Sequence, residues 1–431
     1  MLEGAAADDR QRFIDEARLT DNCDLDFDAD WLNFGHHIAE VDRPAAVYRH
    51  LIDVLKACAL HDDVFNLGLR GRVDHEQDAA LAGNILKARL ALREQMVTGE
   101  ISNYVELFDP ESYANEATIG ENLLFGTPVG ETFRDSNLAH NDHLRSILAE
   151  VDLEGTLTSK GLEMAETTMG LFADLPPDHE LFDQLTFMDG DRFPRYQAIL
   201  RKVKQTGVAS LDAGERLALI ELVFDYIEPQ HRMGLVDDEL KEKILQGRRL
   251  FKQKLPEELQ AAISFHDPET YNVAASVQDN LLMGRVRHGV ARAGQRVNDA
   301  VAALLRDMEL MDDVLGIGLE FDVGSGGRRL SVVQRQKVGL ARALLKQPDL
   351  LVLNKPVTSL DARQQAGVIE AVLKLVNAQD KPPAVVWVLS TAGLASYFDT
   401  VFVFESGRIV EHGPRDDLLG SNGALARLVK V

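Results

Sequence analysis

Cysteine is nearly missing: the 431-residue chain has two, Cys23 and Cys58. That excludes a disulfide framework. No Cys-x-x-Cys or Cys/His spacing offers a zinc site either. A reducing compartment is the simplest setting for such a chain. Long apolar runs are also missing. No stretch approaches the roughly 18 apolar residues of a membrane-spanning helix, and the most apolar segment, 384–389, has strand length. The opening MLEGAAADDRQRF lacks the apolar core of a signal peptide. Basic residues are in deficit, 46 against 69 acidic ones, for a formal net charge of -23. Such a surface repels nucleic-acid phosphates and anionic lipid. Together these absences predict a cytoplasmic protein that binds no nucleic acid and does not itself insert into a membrane.

What is present is an internal repeat. FDPESYANEATIGENLLFG (108–126) aligns without gaps on HDPETYNVAASVQDNLLMG (266–284), and each follows a helical segment carrying Ile-Leu, at 85–86 and 244–245. The likeness continues from ILAEVDLEGTLTSKGLE (147–163) to LLRDMELMDDVLGIGLE (304–320). A third, partial copy, LHDDVFNLGLR (60–70), matches 310–320 and has Trp31-Leu32-Asn33-Phe34-Gly35 upstream of it. We therefore read three copies of one largely helical unit, the first the most eroded.

In each Asp-Pro-Glu, Asp suits an N-cap and Pro the first helical position, with Glu where the helix dipole favours an anion. This predicts extended segments, VELF and AISF, that run straight into a helix start. An amphipathic helix is expected over 297–308, with Val301, Leu304, Leu305 and Met308 on one face. The stretch 167–232 reads as further helix, broken at Pro176-Pro177, with Asp212 and Glu215 as a capping pair before RLALIELVFDYI. Adjacent His36 and His37 do not share a helix face and read as a surface pair.

From residue 350 the pattern changes. LLVL, VVWVL and TVFVFES alternate with helical segments, which predicts a parallel α/β sheet with strands buried on both faces. A turn at Ser406-Gly407-Arg408 closes a final hairpin. The expected architecture is thus an α/β C-terminal half preceded by repeated helical units. Its boundaries are 1–72 and 73–232 for the first two units, 233–329 for the third, and 330–431 for the α/β half.

The third copy leads into FDVGSGGRRLSVVQRQKVGLARALLKQPDLLVLNKPVTSLD (321–361). Gly324-Ser325-Gly326-Gly327, Leu330-Ser331, Gln334-Arg335-Gln336, the helix at 338–345, Pro348-Asp349, Leu360-Asp361 and the tail VFVFESGRIVEHGPRDDLL follow one another in a familiar order. From about residue 263 onward the chain resembles the nucleotide-binding domain of exporter-type ABC transporters. The resemblance implies that Ser331, Gln334 and Asp361 are remnants of nucleotide-contacting positions. It also implies departures. The family's metal-contacting Gln falls on His266, and on Phe108 in the middle copy. Its metal-supporting Asp falls on Asn354, its catalytic Glu on Lys355 and its switch His on Ser390. The signature Leu-Ser-Gly-Gly-Gln reads Leu330-Ser331-Val332-Val333-Gln334. The phosphate loop GxxxxGK(S/T) requires a Gly-Lys dipeptide, and the chain has none; helical sequence stands near Leu219, where the family would place that loop.

A neutral amide holds Mg²⁺ poorly, and a protonated lysine cannot accept a proton from water. Lys355 is expected as a solvated cation or paired with Asp361; the competing reading has its ammonium replace the metal's charge. No catalytic residue and no bound cofactor are expected, and ATP with Mg²⁺ would need a phosphate loop supplied elsewhere. The function expected is a structural or regulatory module, cytoplasmic or peripheral on the cytoplasmic face of a membrane. Its partner would be another ABC nucleotide-binding domain or a transporter membrane subunit. Two alternatives stand beside it. One is the C-terminal part of a full exporter whose phosphate loop and membrane helices lie upstream. The other is a helical scaffold that binds protein through its first 260 or so residues.

Overall fold

The computed structural model describes residues 43–172 and 192–429, apart from 76, 77 and 422, and residues 11–20, apart from 13, 14 and 18. Cys23, the 31–35 segment, His36-His37 and Pro176-Pro177 lie outside the described residues. The chain forms two compact units, one of Val64–Phe321 and one that joins Met1–Asp63 to Asp322–Val431. The fold is mixed and dominated by helix. Among the described residues there are four two-stranded sheets, one of them parallel. No described helix is long and apolar enough to cross a membrane.

Helix α1 (Arg43–Ala57) is followed by α2 (His61–Arg70), within which the boundary between the units falls. The middle copy of the repeat then gives α3 (Ala79–Thr98), β1 (Val105–Leu107), α4 (Ile119–Leu124), β2 (Gly126–Pro128), α5 (Asp142–Glu150) and α6 (Glu154–Phe172). After α7 (Phe193–Thr206) and α8 (Ala213–Phe224), the last copy gives α9 (Asp238–Gln253), β3 (Ile263–Phe265), α10 (Val277–Leu282), β4 (Gly284–Val286), α11 (Ala293–Asp307) and α12 (Met311–Leu319). The expected capping pair is present: Asp212 and Glu215 bond each other's backbone N–H at the start of α8, both at 2.9 Å.

The two copies are exchanged. Strand β1 pairs antiparallel with β4, and β2 with β3, so neither copy pairs its strands within itself. The long helices cross over as well. The core around Leu123, Leu144, Ile147 and Leu157 of the middle copy is completed by Ile244 and Phe251 of α9. Arg248 on α9 is buried, and its Nη1 donates to the carbonyls of Asp109, Pro110 and Ser112 at 3.3, 3.0 and 2.9 Å. Arg89 on α3 donates likewise to Asp267, Pro268 and Thr270 at 3.1, 2.9 and 2.7 Å. Each arginine therefore staples the other copy's Asp-Pro-Glu segment.

That clasp corrects one expectation. Asp-Pro-Glu does not start a helix. Asp109 Oδ1 accepts from Glu111 N at 2.9 Å and Asp267 Oδ1 from Glu269 N at 2.8 Å, closing Asx-type turns. A helix would point the carbonyls along its own axis, whereas here the guanidinium gathers them. Helix begins later, at Thr118 and Ser276, whose hydroxyls accept from Glu121 N and Asp279 N, each at 3.0 Å. Both helices end in a left-handed residue, Phe125 (φ 44°) or Met283 (φ 41°). The glycine that follows each lies against the partner strand. A Cβ on Gly284 would sit 2.3 Å from the Glu106 carbonyl oxygen, so no larger residue fits there.

In the other unit, α13 (Val332–Leu345), β5 (Leu350–Asn354), α14 (Ala362–Asn377), β6 (Ala384–Val388) and the hairpin β7 (Thr400–Glu405) to β8 (Arg408–Pro414) follow in order. Strands β5 and β6 are parallel, from Leu350 opposite Ala384 to Asn354 opposite Val388. The hairpin turns on Ser406 (φ 49°) and Gly407 (φ 77°), the two positive φ values that a tight two-residue turn needs. The strands are not buried on both faces as expected. Leu351 and Leu353 are buried, but Leu350 and Val352 are 56% and 60% exposed: among the described residues, only one face is covered.

Candidate functional site

Parallel sheets present their chemistry beyond the carboxyl ends of their strands. Here that end carries three of the expected positions, Asn354, Lys355 and Ser390. Asn354 closes β5, with its side chain exposed. Lys355 N donates to Val388 O at 3.2 Å, and its backbone is left-handed (φ 47°), so the chain turns sharply off the strand. Its side chain is exposed and makes no ion pair with a described residue; the expected alternative pairing with Asp361 is not formed. Ser390 Oγ donates to Gln365 Oε1 at 2.8 Å, and Gln365 Nε2 donates to Leu360 O at 2.7 Å. This chain of bonds fixes the segment after β6 to the start of α14. The cavity among Lys355, Thr358, Gln365, Trp387 and Ser390 is about 10 Å³, room for about one water molecule.

The remaining positions lie on helix starts or elsewhere. Ser331 caps α13, its Oγ accepting from Gln334 N at 3.1 Å while Gln334 Oε1 accepts from Ser331 N at 3.0 Å. Gln334 Nε2 also donates to Asp63 Oδ1 at 3.0 Å. Asp361 caps α14 through Gln364 N at 2.8 Å. Val332, in the altered signature, is 56% exposed on the first turn of α13. Sequence reasoning missed Asp63, which binds both Gln334 and the Lys337 ammonium, the latter at 2.7 Å. The only trace of it was an Asp62-Asp63 pair. Gln336 was named only as part of the motif; its role, holding Thr358 and the Ser359 backbone through its amide at 3.2 and 3.0 Å, was not read.

His266 belongs to the other unit. Its ring stacks on Phe108, its counterpart in the middle copy, with centroids 4.6 Å apart. The pairing is reciprocal: His266 N donates to Phe125 O at 3.1 Å and Phe108 N to Met283 O at 2.9 Å. Burial, reinforced by the nearby Arg285 charge, lowers the imidazole pKa to about 4, so the ring is neutral near pH 7. Among the described residues, no group of three His, Cys, Asp or Glu side chains could hold a metal ion.

No family model matches the chain. Individual proteins do. It is 28% identical over 228 residues to the ATP-dependent lipid A-core flippase of Xylella fastidiosa, covering 52% of this chain and 35% of that one. It is 33% identical over 172 residues to the mycobactin import ATP-binding/permease protein IrtB of Mycolicibacterium thermoresistibile, covering 40% and 28%. It is 31% identical over 172 residues to the ABC-type transporter MDR1 of Aureobasidium melanogenum, covering 39% and 12%. The chain is a relative of the ABC transporters. It spans between about an eighth and a third of the length of these curated relatives. The ABC-type resemblance in the sequence and the identities agree. They do not extend to what the whole transporters carry or consume.

Proposed function

We propose that this ABC relative is a non-catalytic ATP-binding-domain-like module that docks on a transporter-type assembly at the cytoplasmic face of a membrane. One observation carries the reading. Where the family needs a metal-supporting carboxylate and a general base, β5 ends in an amide and an exposed ammonium, Asn354 and Lys355. That donor set does not fit Mg²⁺. No Gly-Lys dipeptide supplies a phosphate loop. Ser331, Gln334 and Asp361 are engaged as helix caps, which supports a structural use of the former nucleotide positions. The retained α13 and D-loop segment supply the kind of surface on which another ABC nucleotide-binding domain or a membrane subunit would pair. The test is calorimetry of Mg-ATP with the purified chain, together with phosphate release. Neither binding in the micromolar range nor turnover is expected; turnover abolished by Asn354→Ala would overturn the reading.

A second reading places the chain in the C-terminal part of a longer exporter polypeptide whose upstream segment supplies the phosphate loop. The bare faces of β5 and β6 favour it, since two exposed apolar strands are what a larger sheet would cover. Coexpression with an upstream ABC half-domain, followed by protection of Val352 and Val388 from hydrogen exchange, separates the two readings.

A further inference from the structure

We propose that the groove where α9 meets the two Asp-Pro-Glu turns is a binding site for a small aromatic anion. The cavity is about 450 Å³, in the range of small-molecule sites. Phe265 and the neutral ring of His266 line it, beside Phe125, whose ring lies 4.3 Å from the Arg248 guanidinium. Arg248, Arg249 and Lys252 line it together with Glu111 and Asp267, so cations outnumber carboxylates in a chain whose net charge is -23.

These cations are not equally committed. Arg248 spends its donors on backbone and amide oxygens. Arg249 Nη2 holds Glu111 Oε2 at 2.8 Å in an exposed pair, which is readily exchanged. Lys252 has no carboxylate partner among the described residues; its ammonium lies 5.0 Å from the centre of the Phe265 ring. An anion could take Lys252 and Arg249 while its ring lies on the aromatic walls.

The repeat supplies an internal comparison. By the same alignment that matches Arg89 to Arg248, Leu90, Arg93 and Glu94 on α3 stand where Arg249, Lys252 and Gln253 stand on α9. One cation is replaced by leucine, and a carboxylate is added beside the other. The scaffold is duplicated, but the cationic lining is built on one side only, which packing alone does not require.

The test uses the full chain and 2-naphthoate as probe, followed by calorimetry and by the His266 ring resonances. Saturable one-to-one binding is expected, with shifts at His266. Lys252→Glu and Arg249→Glu should each weaken it at least tenfold, and the milder Lys252→Gln severalfold. Arg93→Glu, at the equivalent exposed position, should leave it unchanged. Acetate and the neutral 2-naphthylmethanol should each bind at least tenfold more weakly than 2-naphthoate. Absence of saturable binding, equal loss in Arg93→Glu, or indifference to Lys252→Glu would overturn the proposal. So would binding of an acidic peptide at this groove with no binding of 2-naphthoate.

Discussion

Arg248 donates to both the main-chain and the side-chain oxygen of Asn122, at 2.7 and 2.8 Å. Arg89 makes the same pair of bonds to Asn280, at 2.6 and 2.8 Å. Each asparagine in turn pins its own loop, through Ala114 N and Asn272 N, both at 2.9 Å. Removing either guanidinium takes the donor from the main-chain carbonyl of a buried asparagine and opens three further bonds to the carbonyls of the other copy's turn. Arg248→Ala and Arg89→Ala should each cost on the order of 3 kcal/mol in denaturant unfolding. Lysine should restore little of this, because one ammonium cannot reproduce the planar fork. A loss below about 1 kcal/mol for both would mean that the clasp does not hold the exchanged copies together.

Close helix packing makes a second prediction. A Cβ on Gly68 would lie 1.9 Å from Val314 O, and one on Gly318 would lie 2.0 Å from Val64 O. Helices α2 and α12 thus touch backbone to backbone, each through its glycine. Gly318→Ala and Gly68→Ala should each destabilise by about 1–3 kcal/mol, the cost of overpacking. Gly83→Ala, inside α3 with nothing within 4 Å, is the control. It should stabilise by up to about 1 kcal/mol through helix propensity. Thermal melts of the three variants check the ordering.

The repeat was legible because its copies share letters, and the Asp212–Glu215 pair was legible because capping is local. The caps of the repeat itself, Thr118 and Ser276, were passed over for the aspartates of Asp-Pro-Glu. The exchange could not. Matching sequences say that two segments are alike, not which copy each packs against, and the arginines that decide it lie many residues from their acceptors. The Asp-Pro-Glu turns were misread for the same reason: a local N-cap rule lost to a distant guanidinium. At the strand end, the positions of Asn354 and Lys355 followed from the pattern of β5. The bare face of β5 did not, since an apolar run reads the same whether one side or both are covered.

Acid sensitivity should come from two histidines held neutral. Burial, with a nearby cationic Arg285, lowers His266 to about 4. Burial, followed by the His288 charge, does the same for His231, whose Nδ1 accepts from Ile227 N at 2.9 Å and so must be unprotonated. The unfolded chain protonates histidine near 6.5. Between pH 6.5 and about 4 the unfolded state therefore binds more protons, and stability falls as the pH drops. His266→Phe, which copies Phe108, should keep the stack and remove part of this slope, on the order of 3 kcal/mol by pH 4. Unfolding measured from pH 7.5 to 4 gives the comparison; parallel curves for parent and variant would refute the assignment.

Restoring two residues should not restore an ATPase. Asn354→Asp with Lys355→Glu would rebuild the carboxylates at the end of β5, but catalysis also needs the β- and γ-phosphates to be held by a phosphate loop. No Gly-Lys dipeptide is present to form one. Phosphate release by the double variant should stay at the level of the parent chain. Turnover that rises with Mg²⁺ in the variant alone would mean that the phosphates are gripped by other means, and that the non-catalytic reading fails.

The exposed apolar strands make the last prediction. Val352, Phe402, Phe404 and Ile409 are 60%, 55%, 65% and 52% exposed. Strands with bare apolar faces are sites of association. If these side chains contribute little to the fold of the chain alone, replacing them should leave stability nearly unchanged while removing their stickiness. Val352→Lys and Phe404→Lys should each shift unfolding by less than about 0.5 kcal/mol, as surface changes usually do. The parent is expected to self-associate through these faces in sedimentation, and the same variants to stay monomeric at the same concentration. A collapse of stability would instead mean that these faces are covered within the chain, and the case for a partner lying on them would go with it.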